Sequence, residues 1–352
     1  SGIVGQALAN PLVVKVVDAA GAGVAGVSVA WSVTSGGSTL SAATTTTDAI
    51  GAATVTWSLG PTSGANAVSA GVAGAPTIAT VMFSATAMPG QATKLAFAVQ
   101  PSVVVAGTAI TPAVQVTVQD AQGNTVTTST ANITLAITSG AGTSGAVLGG
   151  TLTQAAVAGV ATFANLTIDK AGTGYTLSAA ATSLTSATSS AVAVSLGAAA
   201  KLAFTVQPGA VVPGVAMSPA VQVAVQDAMG NTITGATTGI TLAISGGTGT
   251  SGTVLGGTLT LAAVAGVATF ANLTLDRIGV GYALTASANG LAGATSDTFS
   301  VKDGQPRYAI AFWGRRHYTG LEITDWEIYG MNGDGTGQTR LTNANGDSWA
   351  HR

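Results

Sequence analysis

Apolar residues recur at every second position in short runs along most of this chain. In VQVTVQ, Val114, Val116 and Val118 alternate with Gln115, Thr117 and Gln119. A period of two predicts a strand with one face buried and the other turned outward. Val, Thr and Ile dominate these runs, and such side chains fit a pleated surface. Clusters of Gly, Asn, Asp and Ser separate them. DAQGN at Asp120–Asn124 and DAMGN at Asp227–Asn231 are turn chemistry: Asp and Asn bond nearby backbone, and Gly supplies positive φ. No stretch carries a capped helical stripe, so the expected class is all-β.

The pattern repeats. Residues 94–194 align with 201–301 without a gap at an offset of 107. KLAFAVQP at Lys94–Pro101 returns as KLAFTVQP at Lys201–Pro208. A more divergent first repeat has the same grammar of strand, Asp-Ala, Gly turn and strand in PLVVKVVDAAGAGVAGVSVAWSV at Pro11–Val33. About seven short strands per ~100 residues predict an immunoglobulin-like sandwich, with a core built from alternate residues of two sheets. The expected architecture is three tandem sandwiches, at 1–88, 92–196 and 199–301, followed by a short β tail at 302–352. Trp31 and Trp57 are the large core candidates of the first sandwich. Phe97, Phe163 and Tyr175 serve the second, and Phe204, Phe270 and Tyr282 the third. The linkers SATAMPGQATK (Ser84–Lys94) and SLGAAAK (Ser195–Lys201) leave little slack, which predicts a semi-rigid string.

The first repeat resembles the bacterial immunoglobulin-like domains of the invasin and intimin group. PLVVKVVDAAGAGVAGVSVAWSV and TDAIGAATVTWSLGPTSGANAVSA carry the likeness, which extends at the level of fold to residues 1–301. It implies extracellular modules on a bacterial cell surface. It implies no activity, because sandwiches of this kind serve many roles.

Composition narrows the function classes. The chain has no cysteine, so a disulfide scaffold and any Cys-ligated metal are excluded. A net charge of −2 gives no basic footprint for nucleic acid. No apolar run approaches the ~20 residues of a membrane helix, so membrane insertion is not expected. A start at Ser1 without Met fits a processed secreted protein, and equally a trimmed or incomplete sequence. Residues 1–301 contain no His, no Cys and no Glu. Their seven Asp residues mostly fall at repeated turn positions: Asp18, Asp120 and Asp227, then Asp169 and Asp276. Catalysis needs converging nucleophiles, acids or metal ligands. The expectation is therefore no enzyme, no metal and no cofactor. Asn165 and Asn272, each in an Asn-Leu-Thr sequon, are read as hairpin-closing residues.

Charge and aromatics concentrate in the tail. Both His, both Glu and three of five Trp lie in residues 302–352. WEIYGMNGDGTGQTRLTN at Trp326–Asn343 resembles one blade of the TolB-type β-propellers, with YAIAF, EIYGMN and QTRLT as its strands. One blade is not a propeller, which needs ~4–8, and an isolated small sheet is marginal in water. Three supports for it remain open: the third sandwich, another subunit, or further sequence beyond these residues. His317 and His351 stand at unmatched spacing, and NGDGTG lacks the rest of an EF-hand loop.

Aligning Asp18 with Asp120 leaves Ala92–Pro101 without a counterpart in the first repeat. The first sandwich as written therefore lacks an edge strand. An unpaired edge exposes backbone donors and acceptors, which a strand supplied in trans can satisfy. RYAIAFWG places Tyr308, Ile310, Phe312 and Trp313 where a donor strand would need them. The acceptor edge would comprise Ile3, Val4, Leu12, Val14 and Val16. A head-to-tail contact of this kind builds filaments. The plain alternative is an unrecorded N-terminal strand and an ordinary propeller strand in the tail. The expected function is a non-enzymatic extracellular fibre or stalk subunit whose main partner is itself. The alternatives are an adhesin that grips a glycan or protein, and a fragment of a larger secreted protein with a propeller.

Overall fold

The structure is a computed structural model, which describes residues 1–303, 309–312, 328–331 and 339–340. Among these residues every regular element is a β-strand. Contacts gather the chain into two compact units. The first comprises Ser1–Ala200 with the turn Gln226–Ile233, and the second Lys201–Val225 with Thr234–Arg352.

In the second repeat, the Val114–Gln119 strand lies between Lys94–Val99 and Val160–Phe163, antiparallel to both. Facing this sheet is a four-stranded one, in the order Thr153–Ala155, Asn132–Ile137, Leu177–Ala180, Ala187–Thr188. The alternation does what the period of two predicts. Val114, Val116 and Val118 are fully buried, as are Ile133, Leu135, Phe163, Tyr175 and Leu177. Thr117 departs from the pattern. It sits on the nominally outward face yet is buried, and its Oγ1 donates to Ala96 O at 3.2 Å. The ladder with the first strand supplies a polar partner that alternation alone does not reveal.

The third repeat has the same sheets. Lys201–Val206, Val221–Gln226 and Val267–Phe270 form one, and Thr260–Ala262, Gly239–Ile244, Leu284–Ser287 and Ala294–Thr295 the other. Phe270 and Tyr282 are fully buried at the places of Phe163 and Tyr175. Phe97 and Phe204 are half-buried.

The first repeat is built differently at one edge. Its larger sheet has five strands, in the order Gly2–Ile3, Val81–Met88, Gly64–Val72, Ser28–Ser35, Thr44–Thr46. Trp31 and Trp57 are buried in a core that also holds Val4, Val29, Val55, Leu59 and Val68. Opposite lies a sheet of only two strands, Leu12–Lys15 and Ala52–Val55.

In the tail, Ala309–Phe312 pairs antiparallel with Ile328–Met331, which pairs with Thr339–Arg340. These three strands fall within the segments YAIAF, EIYGMN and QTRLT. Among the described residues, no helix is long and apolar enough to cross a membrane.

Candidate functional site

Two features of the first unit are candidates for function: an open strand edge in the first repeat, and buried polar clamps at the turns. Among the described residues, no three His, Cys, Asp or Glu side chains gather to hold a metal ion.

The open edge belongs to Leu12–Lys15. One side of this strand pairs with Ala52–Val55, from Leu12 opposite Val55 to Lys15 opposite Ala52. No strand among the described residues pairs with its other side. The equivalent strand of the second repeat has Lys94–Val99 there, with Leu95 opposite Val118 and Phe97 opposite Val116. Leu95 is buried and Phe97 packs on the core. Burying Leu95 contributes about 1.5–3 kcal/mol, and half-buried Phe97 contributes less than that. The consequence is visible in the exposed core. Leu12, Val14 and Val16 are only half-buried, whereas Val114, Val116 and Val118 are fully buried. Lys15, the sole cationic side chain among residues 1–93, ends this strand and is exposed. A charge on an open strand discourages indiscriminate pairing.

The five residues read as one acceptor edge divide between two sheets. Leu12, Val14 and Val16 line the open edge. Gly2–Ile3 runs instead in the opposite sheet, parallel to Val81–Met88, with Ile3 opposite Met88. Val4 is fully buried, and its backbone N–H donates to Met88 O at 2.9 Å. In the second repeat Val104–Val105 pairs with Val192–Ser195 in the same parallel way. Of the donor residues, Ile310 and Phe312 lie on the Ala309–Phe312 strand, opposite Gly330 and Ile328. That strand is the outer one of its sheet, so its other side is free of ladder partners among the described residues. Tyr308 and Trp313 lie outside the described residues.

The clamps were not legible as such from sequence. Asp120 and Asn124 look like ordinary turn residues, but both are buried. Asp120 Oδ2 accepts from Gly90 N at 2.9 Å, in the linker that follows the first repeat. Asp120 Oδ1 accepts from Asn124 N at 2.8 Å. Asn124 Nδ2 donates to Asp120 Oδ2 at 3.0 Å and, across the joint, to Pro61 O at 2.9 Å. Asn124 Oδ1 accepts from Ser63 N at 2.8 Å. One carboxamide therefore reads the carbonyl of one loop residue and the N–H two residues on. The same set recurs at Asp227 and Asn231. Asp227 Oδ2 accepts from Gly197 N, while the Asn231 amide donates to Asp169 O at 2.9 Å and accepts from Ala171 N at 3.2 Å.

Burial of Asp120 would by itself raise its pKa. Donors from Gly90, from the Asn124 side chain and backbone, and from Gly123 outweigh it, so the carboxyl is held below its usual value. Asp227 is depressed in the same balance of burial against Asn231, Gly197 and Met229 donors. In the first repeat Ala22 stands where Asn124 and Asn231 stand. Asp18 there is exposed and bonds only its own turn, through Ala20 N and Ala22 N. The missing signal was that contrast: Asn in the two turns that meet a preceding repeat, Ala in the third.

Asn165 holds Thr151 rather than closing its own turn. Its Oδ1 accepts from Thr151 N at 3.0 Å, and its Nδ2 donates to Thr151 Oγ1 at 3.1 Å. Asn272 does the same with Thr258.

Residues 6–85 match the family model described as Bacterial Ig-like domain (group 1). The chain is also similar to three solved structures at low identity. FdeC, described as a broadly conserved Escherichia coli adhesin, is 22% identical, with 85% of this chain and 93% of that one covered and a TM-score of 0.36. InvD of Yersinia pseudotuberculosis is 18% identical, with 86% and 96% covered and a TM-score of 0.38. Invasin, described as a bacterial integrin-binding protein, is 17% identical, with 84% of this chain and 58% of that one covered and a TM-score of 0.29. No curated protein matches the chain. The match is confined to the first repeat, and the chain as a whole is all-β with immunoglobulin-like sheets.

Proposed function

We propose that this chain is a non-enzymatic structural segment of a bacterial surface protein of the adhesin type. In this reading it comprises three tandem immunoglobulin-like sandwiches, at 1–88, 92–196 and 199–301, that carry a tail at 302–352. The observation that carries this reading is the buried Asp–Asn clamp. A turn that needed only to reverse the chain would not bury a carboxylate and a carboxamide against a neighbouring loop. The Asn124 clamp, inside the first compact unit, ties the second repeat to the loop of the first instead of letting the two swivel. The absence of His, Cys and Glu from residues 1–301 supports a structural role over catalysis. The match of the first repeat to a bacterial immunoglobulin-like family is in keeping with a place at the cell surface. The test is relaxation of backbone amides in the full chain. Modules fixed by the clamps tumble together, and Asn124→Ala separates their correlation times. Independent tumbling in the unsubstituted chain would overturn the reading.

A second reading rests on the open edge. Half-buried Leu12, Val14 and Val16 beside an unpaired ladder form an acceptor for a first strand of the KLAF type. Ile310 and Phe312 have the spacing of Leu95 and Phe97, and the free side of their strand lets a second copy pair head-to-tail. Electron microscopy of the full chain and of Ile310→Asp with Phe312→Asp tests this. Fibres that shorten in the double variant support strand donation. Single particles, or fibres of unchanged length, reject it.

A further inference from the structure

Residues 1–303 contain eight asparagines, and their surroundings fall into three groups. Five carboxamides are held. Asn124 and Asn231 clamp loops, Asn165 and Asn272 hold threonines, and Asn66 accepts from Gly60 N at 3.0 Å while donating to Gly64 O. Two more stand before residues that hinder attack by the next backbone nitrogen. Asn10 precedes Pro11, whose nitrogen carries no proton, and Asn132 precedes β-branched Ile133 within a strand. Asn289 is the remaining one. It is exposed, makes no side-chain hydrogen bond among the described residues, and precedes a glycine.

Asn289 and Gly290 are the central residues of a turn closed by Leu291 N, which donates to Ala288 O at 3.4 Å. Gly290 has φ of +72°, and a Cβ there would meet nothing within 4 Å. Its own N–H makes no hydrogen bond among the described residues. The second repeat builds the same turn from Thr182 and Ser183, with Leu184 N donating to Ala181 O at 3.3 Å and Ser183 at φ of +63°. The turn therefore admits a side chain at the second central place. The third repeat carries an Asn-Gly pair where the second carries no carboxamide.

We propose that Asn289–Gly290 is a covalent modification site, where the asparagine deamidates to aspartate and isoaspartate and the isoaspartate loosens the first strand of the third repeat. The Gly290 backbone nitrogen gives its proton to solvent and attacks Asn289 Cγ. A C–N bond forms, the bond to Nδ2 breaks and ammonia leaves, which closes a five-membered succinimide. Closure is intramolecular and unhindered, because glycine brings no side chain and the carboxamide is not tied elsewhere. Water then opens the ring. Addition at Cγ gives aspartate. Addition at the Asn289 backbone carbonyl carbon gives isoaspartate, whose main chain runs through one added methylene. The segment after the turn has little slack for that atom. Ala292 O accepts from Leu202 N at 2.9 Å and so holds the strand Lys201–Val206. Gly293 lies so close to the neighbouring strand that a Cβ would stand 2.8 Å from Ala286 O. Ala294 and Thr295 are then paired with Ala286 and Thr285. Isoaspartate at position 289 therefore displaces Ala292, and Lys201–Val206 loses its hold there.

Trypsin releases residues 278–302 as one peptide in which Asn289 is the sole carboxamide. A mass gain of about one dalton in that peptide reports this site alone. The full chain is aged in warm, mildly alkaline buffer, and electron-transfer fragmentation separates aspartate from isoaspartate. The expected result is deamidation of 278–302 roughly tenfold faster, or more, than of any other asparagine peptide from residues 1–303, with isoaspartate among the products. Gly290→Ser, the residue with which the second repeat already makes this turn, should slow it severalfold. In the aged protein, hydrogen exchange at the Leu202 amide should accelerate severalfold, whereas the Leu95 amide, held by Thr185 O in the second repeat, should not change. Asn289→Asp adds the charge without the methylene and should leave Leu202 unchanged. Deamidation no faster than at the other asparagines overturns the site. An unchanged Leu202 rate in the isoaspartyl fraction, or equal acceleration in Asn289→Asp, overturns the loosening. Should Gly290→Ser melt early, the rates within the unsubstituted chain still decide the site.

Discussion

Removing the Asn124 carboxamide isolates what the first clamp contributes. Asn124→Ala deletes the bonds to Pro61 O and from Ser63 N across the joint, and the two contacts of Nδ2 to the Asp120 carboxylate. A neutral hydrogen bond contributes about 0.5–1.5 kcal/mol net, and one to a charged group about 1.5–3. The loop Pro61–Ser63 is exposed, so water replaces much of what its two bonds lose. The Asp120 carboxylate keeps the Gly90 and Asn124 backbone donors but loses one buried partner. The expected cost is about 1–3 kcal/mol in all, concentrated at the joint. The Ser63 amide is the discriminating probe, because its acceptor is the deleted atom itself. Hydrogen exchange at Ser63 should accelerate by at least tenfold. The Val68 amide, in the Gly64–Val72 strand of the first repeat, should not change. Asn165→Ala, which removes an exposed Asn bonded only within its own repeat, is the control. An unchanged Ser63 rate in Asn124→Ala, or equal acceleration in the control, would refute the clamp.

Three further outcomes follow from the same structure. Asp120 and Asp227 have folded pKa values below the unfolded value of ~3.9. Their contribution is therefore present above about pH 4 and lost as pH falls through the folded values. Urea midpoints should be flat from neutral pH to about 5 and drop below about 4, and Asp120→Asn should shrink the drop. Phe163→Ala empties the centre of the second core, where Phe163 is fully buried, and should cost about 3–5 kcal/mol in equilibrium unfolding. Gly142 has φ of +69°, and a Cβ there would overlap the Tyr175 ring. Gly142→Ala should destabilise by more than the ~1 kcal/mol of φ strain alone, whereas Gly140→Ala, with open space around its φ of +78°, should show only the strain.

The strands and the core were legible because a period of two is a local signal. Val114, Val116 and Val118 announce their burial through spacing alone, and the near-identity of residues 94–194 with 201–301 doubles every such observation. Turn chemistry was equally local. Asp18 and Asp120 carry the same motif, and each bonds its own turn in the expected way. Among the described residues one side of Leu12–Lys15 has no strand partner, where the second repeat has Lys94–Val99.

What sequence could not reveal depends on residues far apart in the chain. Asp120 and Asp18 differ in burial because a linker and a preceding loop close over one and not the other, and Asn124 meets Pro61 across more than sixty residues. Ile3 and Val4 read as neighbours of Leu12, yet they pair with Met88 because the chain crosses to the opposite sheet before it reaches Leu12. The pattern of alternation sets which side chains face inward. Only the packed structure decides which edges stay open and which polar turns become joints, because both depend on what else comes to lie against them.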